Sequence, residues 1–206
     1  MAIEPRNDQA AARDVLLVVD VQRDFLPGGA LGVADGTRVV APLNRCIGLF
    51  AQRGSPIIAS RDWHPQSHCS FKQQGGPWPP HCIAGSRGAQ FADELQLPPT
   101  ARIVSKATSP ERDSYSAFGG TDLEQRLRAL GARRLFIGGL ATDYCVLQTT
   151  LDARAAGFEV VVLSDAIAAV EVQPGDGERA LARMRQAGAT FAESADVPRL
   201  LRSEPR

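Results

Sequence analysis

All three histidines of this 206-residue chain lie in one short stretch. His64 and His68 fall in "SRDWHPQSHCSF", and His81 follows in "WPPHC". Asp62 and His64 are two residues apart, so on extended backbone their side chains point to the same face. A carboxylate combined with imidazoles is a ligand set that suits Zn, Fe or Mn. The spacing therefore predicts a site for one divalent transition-metal ion, with Asp62, His64, His68 and His81 as ligands.

Two other interpretations of these histidines exist. Histidines that act catalytically or structurally without a metal remain an alternative. A structural zinc site built from the "HC" pairs at 68–69 and 81–82 is excluded, because C-x₂₋₄-C knuckles are absent. Neighbouring residues on an extended chain also point apart, so each pair would supply one ligand at most.

A thiol, a carboxylate and an amine form a second group of candidates. Cys145 follows the apolar run "RLFIGGL" in "ATDYC", at a strand-to-helix turn. Backbone N–H groups and the helix dipole at such a turn favour a thiolate, and the N–H groups can also hold an oxyanion. The alternative is a buried thiol that only packs, an interpretation that fits Cys46 among its apolar helical neighbours.

A thiol nucleophile needs a base, and the histidines are already assigned to the metal. Asp20, which closes "VLLVVD", is the remaining base, and Lys106, which closes "RIVSK", would hold it and share its charge. The alternative is an ordinary ion pair between these two residues. No G-x-S-x-G, P-loop or G-x-G-x-x-G motif occurs, so a serine hydrolase and a nucleotide-binding protein of the usual kinds have no support.

The elements that must position these residues follow from continuous apolar runs, which are typical of strands buried on both faces. Helical patterns separate most of them, so we predict a single doubly wound three-layer α/β/α domain with a mostly parallel six-stranded sheet. The predicted strands are 15–20, 56–60, 102–106, 134–140, 158–165 and 189–191, and the predicted helices are 37–54, 121–131, 143–157, 177–188 and 195–202. Ligands bind beyond the carboxyl ends of such strands, where the candidates above lie.

One connection, residues 61–101, contains no convincing helix and is punctuated by Gly and Pro. Loops of this length in compact domains are usually functional or disordered. This one contains two tryptophans and all three histidines, which argues for a functional site rather than disorder.

Composition narrows the class of protein further. Lys plus Arg and Asp plus Glu both number 23, so no charge excess indicates a nucleic-acid or membrane partner. The polar start has no apolar core of a signal peptide, and no apolar run is long enough to span a membrane. We expect a cytoplasmic protein with free thiols, one domain over residues 1–206, and a flexible tail at 1–12. The sequence leaves self-association into a homo-oligomer open.

The motifs together resemble the cysteine amidohydrolases of the isochorismatase-like superfamily, and within them the nicotinamidase/pyrazinamidase group. "LLVVDVQRDFLPGGAL", "SRDWHPQSHCSF", "WPPHC", "VSKAT" and "GGLATDYCV" carry the resemblance, which covers most of the chain. Arg23 departs from it, because these proteins more often have Asn at that position.

The resemblance implies that Asp20, Lys106 and Cys145 are catalytic. It also implies the four metal ligands named above, a cis peptide at 140–141, and an oxyanion hole formed by the N–H groups of Ala141 and Cys145. Aromatic substrate contacts fall at Phe25, Trp78 and Tyr115. The implied reaction is hydrolysis of nicotinamide, and also of pyrazinamide, through a cysteine thioester in NAD salvage, with the metal binding the pyridine nitrogen.

Two other functions remain open beside this one. The first is a related amidohydrolase acting on a carbamoyl or maleamate-type amide. The second is a catalytically silent protein that binds a metal or a small ligand.

Overall fold

Six strands form one sheet in the computed structural model, which describes residues 13–202. All five strand pairings are parallel, so the predicted α/β fold with a six-stranded sheet is confirmed and the sheet is entirely parallel. The strand order is β3-β2-β1-β4-β5-β6. The strands are β1 (Arg13–Val19), β2 (Ile57–Asp62), β3 (Arg102–Lys106), β4 (Ala132–Leu140), β5 (Glu159–Ala168) and β6 (Thr190–Ala192).

Helices cover both faces of the sheet. They are α1 (Val40–Gln52), α2 (Leu123–Ala129), α3 (Leu147–Ala155), α4 (Asp176–Gln186) and α5 (Val197–Leu200). Alternate residues of β1 point to opposite faces: Leu16 and Val18 join the core cluster under α1 and α5, whereas Leu17 and Val19 join the cluster under α2, α3 and α4. This two-sided burial explains why the strand is apolar throughout.

The strand order reverses direction between β1 and β4. From β1 the chain adds β2 and β3 on one side, and it then crosses to the other side to add β4, β5 and β6. A crevice opens at such a switch point beyond the carboxyl ends of the strands. Asp20 directly follows β1 and Cys145 lies shortly after β4, so the fold brings both to this crevice.

The long connection between β2 and β3 contains no α-helix, as predicted, and only one 3₁₀ turn, Lys72–Gln74. Isolated bridges hold it in place: His64 pairs with Ile83, and Gln22 pairs with Phe91. The connection is therefore ordered by pairing with itself and with the segment after β1.

Several boundaries differ from the predicted ones. A 3₁₀ turn, Gly36–Val39, precedes α1, and a π-helical turn, Thr142–Val146, precedes α3. Strand β5 continues past its polar residues to Ala168, with a register shift against β4. The predicted flexible tail at 1–12 lies outside the described residues, and one domain over 1–206 stays a prediction. Among the described residues, no helix has the length and apolarity needed to cross a membrane.

Candidate active site

Lys106 lies at the centre of a buried polar cluster at the carboxyl ends of the strands. Its Nζ is 3.1 Å from Asp20 Oδ2, 2.5 Å from Asp62 Oδ1 and 3.5 Å from Cys145 Sγ. It also donates to the Ser114 carbonyl at 3.1 Å. Burial alone would lower the pKa of Lys106, but the Asp20 and Asp62 carboxylates raise it well above its usual value. The ammonium is therefore a fixed positive charge shared by two carboxylates.

Asp20 is fully buried beside this ammonium. Its backbone has a φ of 48°, a left-handed conformation that turns the chain out of β1. The Ser60 hydroxyl donates to Asp20 Oδ1 at 2.6 Å. Burial raises the pKa of Asp20, and the Lys106 charge opposes that rise. A carboxylate whose pKa is raised is a stronger base than a free one, which suits proton abstraction from a neighbouring thiol.

Cys145 lies in the π-helical turn, next to these groups. The sequence predicts a thiolate at this turn, but burial raises the pKa of Cys145 well above its usual value despite the Lys106 charge. Removal of the sulfur from water disfavours its charged form. A base beside the sulfur is therefore needed to form the thiolate. Asp20 is in position for this, because ligand atoms of Asp20, Asp62 and Cys145 lie within 4.8 Å of one another.

The backbone between β4 and Cys145 is tightly constrained. Gly139 has a φ of 134°, and a Cβ at this position would lie 2.0 Å from the Val19 carbonyl oxygen, so only glycine fits. The Leu140–Ala141 peptide is cis, as the resemblance implies. Within residues 13–202 the Ala141 N–H has no hydrogen-bond acceptor. This N–H is therefore available to a ligand, as an oxyanion hole requires.

Asp62, His64 and His81 form a second buried cluster that shares Asp62 with the first. Their ligand atoms lie within 4.8 Å of one another. Asp62 Oδ2 is 3.5 Å from His64 Nε2 and 4.0 Å from His81 Nε2. Burial would raise the pKa of Asp62, but the Lys106 charge holds it well below its usual range. An ionised carboxylate therefore faces two imidazoles.

The tautomers of both histidines fit a metal ion. His81 Nδ1 is 2.8 Å from the Pro79 carbonyl, and His64 Nδ1 is 3.3 Å from the Ala107 carbonyl, so each ring donates through Nδ1. Their Nε2 atoms are left as acceptors, and His64 Nε2 is buried without a hydrogen-bond partner in the described part of the chain. Histidines that bind metals are commonly oriented in this way, by a hydrogen bond from the other ring nitrogen to a backbone carbonyl. These three residues therefore fit a divalent transition metal.

His68 lies beside this cluster but not within the set of three. Its ring centroid is 4.2 Å from that of His64. Its Nδ1 is 2.7 Å from Ser70 Oγ, and its Nε2 is 3.2 Å from the Arg112 carbonyl. Both ring nitrogens thus have partners within the protein, and in this arrangement the His68 ring packs against the His64 ring. A role for His68 as a fourth ligand stays a prediction.

A pocket lined by aromatic side chains opens above both clusters, and Asp62, His81 and Cys145 reach its wall. The predicted substrate contacts Phe25, Trp78 and Tyr115 all line it. Trp78 Nε1 donates to the Tyr115 hydroxyl at 3.0 Å, which fixes the two rings relative to each other. The pocket therefore places an aromatic slot between the thiol and the candidate metal ligands.

Three further lining residues were missed from the sequence: Leu31, Tyr144 and Val170. Tyr144 packs edge-on against the rings of Trp78 and Tyr115, at centroid distances of 5.2 and 5.3 Å. Its position directly before Cys145 is a signal that could have identified it. Leu31 is the last residue of the motif "LLVVDVQRDFLPGGAL", which could have identified it, whereas Val170 lies in a loop without a distinguishing motif.

Arg23, which departs from the resemblance, forms an ion pair with Asp93. Neither residue lines the pocket. The departure therefore alters a contact outside the aromatic slot.

Comparison with known proteins agrees with this geometry. A family profile described as "Isochorismatase domain" matches residues 14–196. The nicotinamidase of Escherichia coli (strain K12) is 41% identical over 202 residues, covering 88% of this chain and 95% of that protein. The crystal structure of the pyrazinamidase of Pyrococcus horikoshii in complex with zinc has a TM-score of 0.84 and 47% identity, covering 88% of this chain and 99% of that one.

A second solved structure, PnC1 from L. infantum in complex with nicotinate, has a TM-score of 0.81 and 39% identity, covering 89% of this chain and 94% of that one. The similarity thus extends over nearly the whole length of each relative. Because the family profile spans most of the sequence as well, the chain belongs to the isochorismatase family.

Proposed function

We propose that the protein is an amidohydrolase that converts nicotinamide and water to nicotinate and ammonia. The observation that carries this proposal is the position of Lys106 Nζ, 3.1 Å from Asp20 Oδ2 and 3.5 Å from Cys145 Sγ, at the wall of an aromatic pocket. A nucleophile, a base and a fixed cation are the groups that amide hydrolysis through a thioester requires. The relatives named nicotinamidase and the nicotinate-bound neighbour support the choice of substrate.

The first step forms the nucleophile. Asp20 takes the proton from Cys145 as the sulfur attacks the carboxamide carbon, and the Lys106 ammonium stabilises the charge that develops on the sulfur. Burial raises the pKa of Asp20, which makes its carboxylate a stronger base for this transfer than a free aspartate.

The tetrahedral intermediate carries its negative charge on the former carbonyl oxygen. The N–H groups of Ala141 and Cys145 bind this oxygen. Asp20 returns its proton to the amide nitrogen, the C–N bond breaks, and ammonia leaves a nicotinoyl thioester on Cys145. Asp20 then accepts a proton from water and the resulting hydroxide attacks the thioester. As the C–S bond breaks, the proton returns from Asp20 to the sulfur, and nicotinic acid leaves and ionises to nicotinate.

Asp62, His64 and His81 hold a divalent metal ion in this proposal. When bound, it supplies a Lewis-acid anchor for a ring nitrogen of the substrate. Zinc is favoured because the Pyrococcus horikoshii structure is a zinc complex, and iron and manganese suit the same ligands. His68 as a fourth ligand belongs to the proposal as well.

The deciding experiment measures ammonia release from nicotinamide, from pyrazinamide and from a carbamoyl or maleamate-type amide, using the metal-loaded protein. We expect rapid release from the first two and little from the third. Preferred hydrolysis of the third would support the related amidohydrolase, and no release from any of them would support the catalytically silent alternative. A role in NAD salvage, a cytoplasmic location and a homo-oligomeric state remain predictions from the sequence.

A further inference from the structure

The main chain of β1 stops pairing with β2 before β2 ends. The last ladder bond is from the Asp20 N–H to the Ser60 carbonyl, at 3.2 Å. In a parallel ladder the next bond would run from the Asp62 N–H to the Asp20 carbonyl. Instead the left-handed backbone of Asp20 turns the chain away, and its carbonyl accepts the Gln22 N–H at 2.8 Å. The backbone of Asp62 is thus left without β1 on that side.

The side chain of Gln22 takes the place of the missing strand. Its Oε1 accepts the Asp62 N–H at 2.7 Å, and its Nε2 donates to the Asp62 carbonyl at 2.8 Å. Nε2 also donates to the Ala89 carbonyl at 3.0 Å, which ties in the far end of the long connection. Gln22 is fully buried, so these bonds do not exchange with water. Both amide hydrogens are used, and no residue other than glutamine combines this reach with this donor and acceptor pair.

Asp62 is the residue for which a fixed backbone matters most, because its two carboxylate oxygens serve different clusters. Oδ1 is 2.5 Å from Lys106 Nζ, and Oδ2 faces the Nε2 atoms of His64 and His81. On its other side the backbone is held by β3, where Asp62 is in register with Lys106. Without Gln22, Asp62 would be held from one side only.

We propose that Gln22 is a positioning residue that sets the metal-binding geometry of Asp62 through its backbone. The inference rests on the metal site of the proposed function. Partners that orient metal ligands typically contribute 10- to 100-fold in metal affinity or activity. Gln22→Met keeps the length of the side chain and removes all three hydrogen bonds, and Gln22→Asn keeps the amide but is one methylene too short to form them.

The test measures the zinc dissociation constant of the full chain by competition with a chromophoric chelator, together with kcat and KM for nicotinamide. We expect both variants to bind zinc about 10- to 100-fold more weakly than the wild type. At limiting zinc, KM should rise far more than kcat falls, because Lys106 keeps its contact with Asp20.

Asn44 offers a matched control. Its side-chain amide also hydrogen-bonds to the long connection: it donates to the Glu94 carbonyl at 2.7 Å and accepts the Gln96 N–H at 2.9 Å. Unlike Gln22, it has no hydrogen bond to Asp62. Asn44→Leu should lower the melting temperature and leave zinc affinity unchanged. If the Gln22 variants lose only thermal stability, as Asn44→Leu does, the positioning role is overturned.

Zinc affinity is read without substrate, so the two proposals fail separately. A wild type that binds zinc but releases no ammonia from nicotinamide contradicts the proposed activity and leaves the Gln22 comparison intact. A wild type that binds no zinc overturns the positioning role together with the metal site.

Discussion

Replacing Asp20 by Asn tests whether this carboxylate is the base that activates Cys145. The amide keeps the shape of the side chain and can still accept the Ser60 hydroxyl, which lies 2.6 Å from Oδ1. It cannot accept a proton, however, and burial raises the pKa of Cys145, so the thiol still needs a base. Loss of a general base typically costs 10²- to 10⁴-fold in rate, which corresponds to about 2.7 to 5.5 kcal/mol of transition-state stabilisation.

No neighbouring carboxylate can replace Asp20 efficiently. Asp62 is the other carboxylate near Cys145, with ligand atoms of all three residues within 4.8 Å. Its pKa is held well below the usual range by Lys106, so Asp62 is a weak base. We therefore expect kcat/KM of Asp20→Asn to fall through most of the 10²- to 10⁴-fold range.

Thermal stability should change little, or rise, at neutral pH. The folded-state pKa of Asp20 is raised, so the stability linked to this group is present at low pH and is lost as the pH rises through that pKa. Asn does not titrate and avoids the cost of a buried charge, although Lys106 then keeps only Asp62 as an anionic partner.

The assay is steady-state ammonia release, combined with mass spectrometry of the intact protein to detect the acyl group on Cys145. Asp14→Asn is the matched control, because Asp14 lies near the start of β1, at the opposite end of the strand that Asp20 follows. It pairs with Arg134 through two contacts of 2.8 Å. This control should lose some stability and keep its kcat/KM. Turnover by Asp20→Asn at near the wild-type rate would refute the reasoning.

Cys145→Ala should abolish ammonia release and acyl-enzyme formation while zinc binding persists. Cys46→Ala should retain activity because Cys46 is buried in α1 and does not line the aromatic pocket, and an acyl group found on Cys46 would contradict this. Because the pKa of Asp20 is raised, kcat/KM should decline on the acid side at a pH above the usual aspartate value of 3.8, and a pH–rate profile flat down to that value would oppose the assignment. Benzamide lacks the ring nitrogen of nicotinamide and pyrazinamide, so its kcat/KM should be lower by several powers of ten, and comparable values would exclude the anchoring role of the metal. Gly139→Ala should be poorly folded or inactive, because its Cβ would lie 2.0 Å from the Val19 carbonyl oxygen. Circular dichroism and ammonia release test this, and a variant that is folded and active would contradict it.

The strands could be predicted because strands buried on both faces are continuous runs of apolar residues in the sequence. Strand β5 shows where that signal ends. The predicted strand ends at Asp165, yet β5 continues to Ala168. Within it the Asp165 carboxylate accepts the Ser194 N–H at 2.8 Å and the Ser194 hydroxyl at 2.5 Å. A polar residue satisfied by a partner 29 positions away leaves no local pattern.

The site was predictable to the extent that strand ends determine position. A parallel sheet was predicted, and in such a sheet the carboxyl ends of the strands lie at one edge. That edge brings together the residues at the ends of β1, β3 and β4: Asp20, Lys106 and Cys145. Val170 reaches the pocket through tertiary contacts alone: its N–H donates to the Asp143 carboxylate at 2.9 Å. The extent to which burial raises the pKa of Cys145 could not be predicted from the sequence, because it depends on how completely the folded chain excludes water.

The long connection between β2 and β3 has a consequence for redesign. Trp78 and His81 come from this connection, whereas Lys106 and Cys145 come from strand ends and the turn after β4. In the proposed function, part of the ring-binding surface thus comes from the connection, while Phe25 and Tyr115 line the same pocket from outside it. Grafting a different connection between residues 63 and 101 would exchange the part that carries Trp78 and His81 and leave the acyl-transfer groups on the sheet. The exchange would succeed only where the graft preserves a carbonyl for Gln22 at the position of Ala89.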